Sequence, residues 1–240
     1  MIFVEGGEHR DIQILDLYVG KFPVIQDDWK KLMEKLPYYI DKFIGNPISD
    51  ITWIEALEYC NRLSKKNNFK PVYKIENNKL IKIIYKDGKE VPPNLADFSK
   101  TEGYRLPTCL EWEWFAEGGK KSIERKVYSG SNCIDEVGWH YKNSSDRVHA
   151  VGQKKSNELG LYDCTGNVAE WCYDTELTRG QENPTERYYY YSDEGEKLCK
   201  GGSYGGNEER SYIIRRTDVA YMSSGERIGF RIVRTANLQK

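Results

Sequence analysis

The chain has 240 residues, enough to bury a sizeable core, and 36 Lys and Arg against 37 Asp and Glu give a formal net charge of −1. That balance leaves no excess positive charge to attract nucleic acid or an anionic membrane, so neither is an expected partner. No run of about 18 apolar residues exists to form a membrane-spanning helix, and the opening MIFVEGG has neither the basic start nor the apolar stretch of a secretory signal.

Along the chain, DIQILDLYVGKFPV alternates apolar and polar residues and predicts a half-buried strand. DDWKKLMEKL then brings Trp29, Leu32, Met33 and Leu36 to helical spacing. SDITWIEALEYCNRLSKK predicts a helix with one apolar stripe of Trp53, Ala56, Leu57, Cys60 and Leu63, capped by Ser49 or Asp50. VYKIENNKLIKIIYKDG predicts a hairpin turning at Asn77 and Asn78, with a second turn at Asp87 and Gly88. In RLPTCLEWEWFAEGG, Thr108 is followed three residues later by Glu111, the pattern of a capping box. A helix should therefore run from there to about Gly118, with Trp112 and Phe115 in the core. From Ser129 onward, short apolar pieces are separated by Gly, Asn, Ser and charged residues, which predicts long loops on a few strands. The closing GFRIVRT alternates and predicts a strand. No internal repeat or low-complexity linker interrupts the chain, so residues 1–240 are read as one α+β domain.

Six cysteines, at 60, 109, 133, 164, 172 and 199, follow no CxxC spacing and read as small buried thiols. The three histidines, His9, His140 and His149, show no ligand spacing. No Ser/His/Asp set or phosphate loop appears. The 18 tyrosines are unusual, and a Tyr-rich surface favours binding because the side chain is amphipathic and loses little rotamer entropy on contact.

Four segments occur in an order that marks a family. GYRLPTCLEWEWFAEGG, NELGLYDCTGNVAEWCYD, KGGSY and IGFRIVR resemble signature segments of the formylglycine-generating-enzyme (sulfatase-modifying factor) superfamily. The resemblance implies a C-type-lectin-like fold: a twisted, mostly antiparallel sheet, two main helices and extensive loops. It also implies where catalysis would sit. The aerobic enzymes carry a copper-binding cysteine pair between the third and fourth segments, and the related sulfoxide synthases carry a three-His iron site. Here the interval reads GGNEERSYIIRRTDVAYMSSGER and holds no cysteine, so neither copper nor iron is expected and the parent reaction lacks its thiolate.

The same interval resembles the variable proteins of diversity-generating retroelements, which display a diversified C-terminal surface on this fold. Gly, Asn, Tyr, Thr, Asp, Val, Ala and Ser are residues reached when the adenines of an Asn codon are replaced. Positions 205–207, 217–220 and 225–227 fall on the template clusters, with Tyr212 and Tyr221 beside them. A plain mixed loop is the competing reading. On the first, the binding region is 204–227, with Tyr204, Asn207, Tyr212, Thr217, Asp218, Val219, Ala220, Tyr221 and Ser223 as contact residues, joined by residues 188–191. The expected partner is a protein held by aromatic anchors, and such a protein would be displayed at a cell surface by an anchor outside this sequence.

The resemblance further implies a calcium ion in YDCTGNVAEW, with side chains from Asp163 and Glu170 and backbone carbonyls from Gly166 and Val168, Asn167 holding the turn. The alternative is that both carboxylates only hydrogen-bond loop amides. The expectation is thus a non-catalytic binding protein. Two other classes stay open: a superfamily enzyme of changed mechanism, and a lectin that coordinates sugar through an exposed calcium.

Overall fold

The computed structural model describes residues 1–37, 43–175, 196–215, 217–219 and 227–236, of which 217–219 are described through their backbone. Four three-residue strands open the chain: β1 (Ile2–Val4), β2 (Gly7–His9), β3 (Ile12–Ile14) and β4 (Leu17–Val19). Helices α1 (Gln26–Met33) and α2 (Trp53–Lys66) follow, then β5 (Tyr73–Glu76), β6 (Lys79–Ile84) and β7 (Glu90–Val91). Helix α3 (Cys109–Ala116) and the single turn α4 (Ile134–Val137) precede β8 (Ala169–Thr175), β9 (Lys197–Lys200), β10 (Thr217–Val219), β11 (Ile228–Gly229) and β12 (Val233–Thr235).

The two longer capped helices start for a local reason. Thr108 accepts from the Glu111 N–H while Glu111 reaches back to the Thr108 N–H, closing the predicted box. Helix α2 is capped the same way, but by Thr52 and Glu55. This corrects the expectation of Ser49 or Asp50. Only Thr52 stands three residues before a glutamate that can return the bond. The hairpin β5–β6 turns through Asn77 and Asn78, both in the left-handed region at φ 49° and 59°, where Asn is among the better-tolerated residues.

Two predicted strands are each split. The segment read as one strand over 11–24 breaks at Leu15 and Asp16, and β3 pairs with β2 while β4 joins another sheet. GFRIVRT likewise divides into β11 and β12, which lie in different sheets. Phe230 and Arg231 between them are both fully buried, so this linker is core and not loop.

Among the described residues the sheets run β1-β4-β12, β10-β9-β8-β11, β2-β3 and β5-β6-β7. All pairings are antiparallel except β11 on β8. The class is α+β. The larger core lies between α1, α2 and β8 and holds Trp29, Trp53, Leu57, Trp171, Tyr173 and Phe230. A second packs α3 through Trp112 and Phe115 against Leu161, Cys164, Cys172 and Leu198. Five cysteines are buried and Cys133 is exposed; all are free.

The signature segments meet in buried charge. Arg105 of GYRLPT is fully buried and grips Glu111 with two 2.7 Å bonds. The Trp112 indole donates to Glu170 at 2.7 Å, and Arg231 pairs with the same carboxylate at 2.8 Å. Arg231 also donates to the carbonyls of Gly20 and Tyr162. Lys200, the first residue of KGGSY, is fully buried on Glu113 at 2.7 Å. Each segment is therefore held by a charged partner in another. One-sided removal of such a pair is costly, because the remaining ion cannot recover its hydration.

Candidate binding face

After β9 the chain turns on Gly201 and Gly202. Gly202 has φ 69°, and a Cβ there would meet the Ser211 hydroxyl at 2.4 Å, so glycine is required for 203–211 to fold back. The returning loop carries Tyr204, Asn207 and Tyr212. The Tyr204 N–H donates to the Asn167 carbonyl at 2.8 Å, and the Ser144 hydroxyl donates to the Tyr204 carbonyl at 2.9 Å. The half-buried Tyr204 ring lies under the Arg227 guanidinium, 5.1 Å from its centroid, a cation–π contact. Arg227 in turn pairs with Asp146 at 3.3 Å.

Asn207 is exposed, and its side chain accepts from the Arg210 N–H at the start of a 3-10 turn, Glu208–Ser211. It thus presents a polar surface and caps a turn at once. Tyr212 is half-buried and packs on Tyr128, with ring centroids 5.6 Å apart. Burial pushes the Tyr128 hydroxyl up to about 12, with the adjoining Tyr212 adding to the effect. Tyr212 therefore has a structural task that exposed Asn207 lacks. Thr217, Asp218 and Val219 form β10, whose register places them opposite Cys199, Leu198 and Lys197. Ala220, Tyr221 and Ser223 lie outside the described residues, as do 188–191.

The turn over 163–170 lies directly behind this loop. A Cβ on Gly166 would fall 2.1 Å from the Trp139 carbonyl oxygen, so the site admits glycine only. Asn167 holds the turn as expected: its amide donates to the His149 carbonyl and its oxygen accepts from the His149 N–H. Asp163 is buried, at φ 54°, and accepts from the Gly152 N–H at 2.7 Å. Burial pushes its carboxyl up; the Arg231 charge pulls it down and the Glu170 charge pushes it up. The Arg231 guanidinium is bonded to Glu170, while Asp163 is bonded to the Gly152 N–H and the Asn167 amide, so a cation beside Asp163 would offset the burial of its carboxyl. The donor set is sparse: among the described residues no group of three or more His, Cys, Asp or Glu could hold a metal. Calcium would draw most of its six to eight oxygens from backbone carbonyls, including Gly166 and Val168, and from water.

Three of the buried thiols are held in the protonated form. Burial pushes Cys164 up to about 12 and raises Cys60 and Cys172 as well, which disfavours the thiolate that nucleophilic chemistry requires. Residues 201–240 contain no cysteine.

Sequence reading missed three participants. Arg227 was placed in a template cluster, but not as the cation stacked on Tyr204. The loop over 139–147 reads as generic, yet it contacts Tyr204, Gly206, Glu208 and Arg227. Glu113 is the third. Its carboxylate is fully buried among Lys200, Arg10 and His9. Helical spacing gives no hint of this, because six of the eight α3 residues are buried and the helix has no solvent stripe to contrast with.

Comparison with known proteins agrees with this geometry. Residues 5–236 match the family model described as sulfatase-modifying factor enzyme 1-like domain. The chain is 31% identical to a protein of Paenibacillus barcinonensis named chaperone protein LppX, over 98% of this chain and 89% of that one. It is 28% identical to the formylglycine-generating enzyme of Streptomyces coelicolor, over 59% of this chain and 50% of the enzyme, so it spans about half of that relative. Among solved structures, variable protein 1 of Treponema denticola superposes with a TM-score of 0.76 and 25% identity, covering 98% of this chain and 92% of that one. The architecture is that of the formylglycine-generating-enzyme fold, and the chain belongs to the sulfatase-modifying factor enzyme 1-like domain family.

Proposed function

We propose that the chain is a non-catalytic protein-binding module that engages a polypeptide through the face built on residues 204–227. The observation that carries this reading is the thiol-free interval between KGGSY and IGFRIVR, in a molecule that buries five of its six thiols. Support comes from the two similarities that run the length of the chain, one to a protein named as a chaperone and one to a variable protein. Reduced, carboxymethylated lactalbumin, an unfolded polypeptide, is a suitable probe. It should bind, and Tyr204→Ser should weaken binding; absence of binding by the unaltered protein would remove the proposal.

The second reading, an enzyme of changed mechanism, is favoured by the partial likeness to formylglycine-generating enzymes. The binding reading predicts the opposite outcome. A sulfatase-type Cys peptide incubated with the protein, with or without copper, should show no formylglycine by mass spectrometry above the buffer control. Conversion would establish the enzyme.

A diversified surface is the finer form of the proposal. Diversified positions must carry little folding energy, and surface changes usually stay within about 0.5 kcal/mol. Exchange of Tyr204 and Asn207 together for Ser should therefore lower the melting temperature by only a few degrees. Tyr212 falls outside this tolerance because it packs on Tyr128. A near-copy of the 3′ coding end beside the gene, differing at adenines, is the matching genetic test.

Calcium at Asp163, Gly166, Val168 and Glu170 is proposed on the two buried carboxylates of this turn and its resemblance to the family segment. An ion bound only by the folded state stabilises it by RT ln(1 + [L]/Kd). Calcium should raise the melting temperature over chelator, and Asp163→Asn should abolish the rise. Identical curves, with no ion found by elemental analysis, would leave the turn held by protein alone.

A further inference from the structure

Tyr141 is a large aromatic residue that is 69% exposed on a loop with no freedom to bury it. The loop is fixed at both ends and in its middle. Trp139 stacks on His149 with centroids 3.8 Å apart. His140 is buried, its ring bonded to Asp135 at 2.9 Å and its N–H to the Asn143 side chain. Ser144 is fully buried on the Tyr204 carbonyl. Exposure of Tyr141 is therefore a property of an ordered backbone.

The same loop is joined to the binding face at four points. The Tyr141 N–H donates to the Gly206 carbonyl at 3.0 Å. Lys142 pairs with Glu208 at 2.5 Å, and Asp146 pairs with Arg227 at 3.3 Å. The Ser144 bond to Tyr204 is the fourth. We infer that residues 139–147 and 203–208 form one composite binding surface, with Tyr141 as an aromatic anchor beside Tyr204. This rests on the protein-binding reading and extends it to a segment outside the 204–227 interval.

The charges indicate the partner. Lys142 is matched by Glu208 and Arg227 by Asp146 within the surface, and exposed Arg147 is the one charge of these segments left over. A single arginine gives a polyanion such as nucleic acid or a sulfated glycan little positive field to enter. A polypeptide that covers Tyr141 with apolar side chains gains from its area without ordering it, since the backbone is already set. Pairing also stops the lysine and arginine from competing for solvent across the anchor.

The test uses reduced, carboxymethylated lactalbumin, followed by fluorescence anisotropy, with heparin as the polyanion control. Tyr141→Ser should weaken lactalbumin binding about tenfold or more, as loss of an aromatic anchor does, and leave the melting temperature unchanged. Tyr141→Phe should keep most of the affinity. Ile123→Ser, at a residue 93% exposed beside His9 and outside this surface, should have no effect. On the unaltered protein, hydrogen exchange over 139–147 should slow when lactalbumin is added. If the unaltered protein does not bind lactalbumin, the protein-binding reading and this inference fall together. If Tyr204→Ser weakens binding and Tyr141→Ser does not, that reading stands and the composite surface is overturned. Loss on Tyr141→Ser with none on Tyr204→Ser overturns it as well, because the two would not be one surface. Tighter binding of heparin than of lactalbumin would refute the assigned partner class.

Discussion

Glu170→Ala should destabilise the protein by about 3–5 kcal/mol, the usual cost of removing one partner of a buried ion pair. Both members are fully enclosed: Glu170 and Arg231 have no exposed surface to fall back on. Removing the carboxylate leaves the guanidinium with only the carbonyls of Gly20 and Tyr162, and it orphans the Trp112 indole N–H. For a chain of this size each kcal/mol moves the melting temperature by roughly 2–4 °C, so a fall of roughly 10 °C is expected. The double variant Glu170→Leu with Arg231→Met should recover part of that loss, because it strands neither charge. If the single variant melts with the unaltered protein, the pair contributes nothing and the segments are held by packing alone.

Lys200→Met should have an effect of similar size at neutral pH and a smaller one in acid. Burial alone would raise the Glu113 carboxyl. The His9 ring 3.6 Å away and the charges of Lys200 and Arg10 overcome burial and hold it down at about 2. Its folded value therefore lies below the unfolded one near 4.3. The resulting stability is present above the unfolded value and is lost as pH falls toward 2, about 3 kcal/mol in all. Denaturant midpoints measured from pH 7 to pH 2.5 should decline through that window. In Lys200→Met the carboxylate loses its buried partner, so the deficit is largest at pH 7 and narrows once Glu113 is protonated. A deficit that stays constant across the series would mean that lysine acts through its ammonium over the Trp112 ring, 5.6 Å from the centroid, rather than through Glu113.

The elements that were legible in the sequence are those whose cause is local. The Thr108 and Glu111 box, the Asn77 and Asn78 turn and the stripe of α2 each need only a few neighbouring residues. Strand β8 was not legible, because all seven of its residues are buried and no alternation survives. The same holds for the linker through Phe230 and Arg231. The carboxylate partners were hidden for another reason: Glu170 and Arg231 are 61 positions apart, and spacing carries no signal over that distance. The binding face was legible in part. Composition pointed to 204–227, but it could not show that Tyr212 serves Tyr128, or that the loop carrying Tyr141 bonds the backbone of Tyr204 and Gly206.

Strand β4 has β1 on one side and β12 on the other, and Val19 is opposite both Ile2 and Val233. This sets the order in which the molecule can assemble during synthesis. Strand β4 leaves the ribosome before β12, so one of its edges is vacant until residues 233–235 have been made. Closing so long a loop is slow compared with forming the local hairpin β5–β6, so the amino-terminal strands wait for the carboxyl-terminal ones. An unpaired strand edge is a site for aggregation while it waits. Stalled translation within the final residues should therefore yield chains whose hairpin and helices are formed but whose first sheet is open. Protease cleavage in 1–19 of ribosome-bound intermediates would report that state.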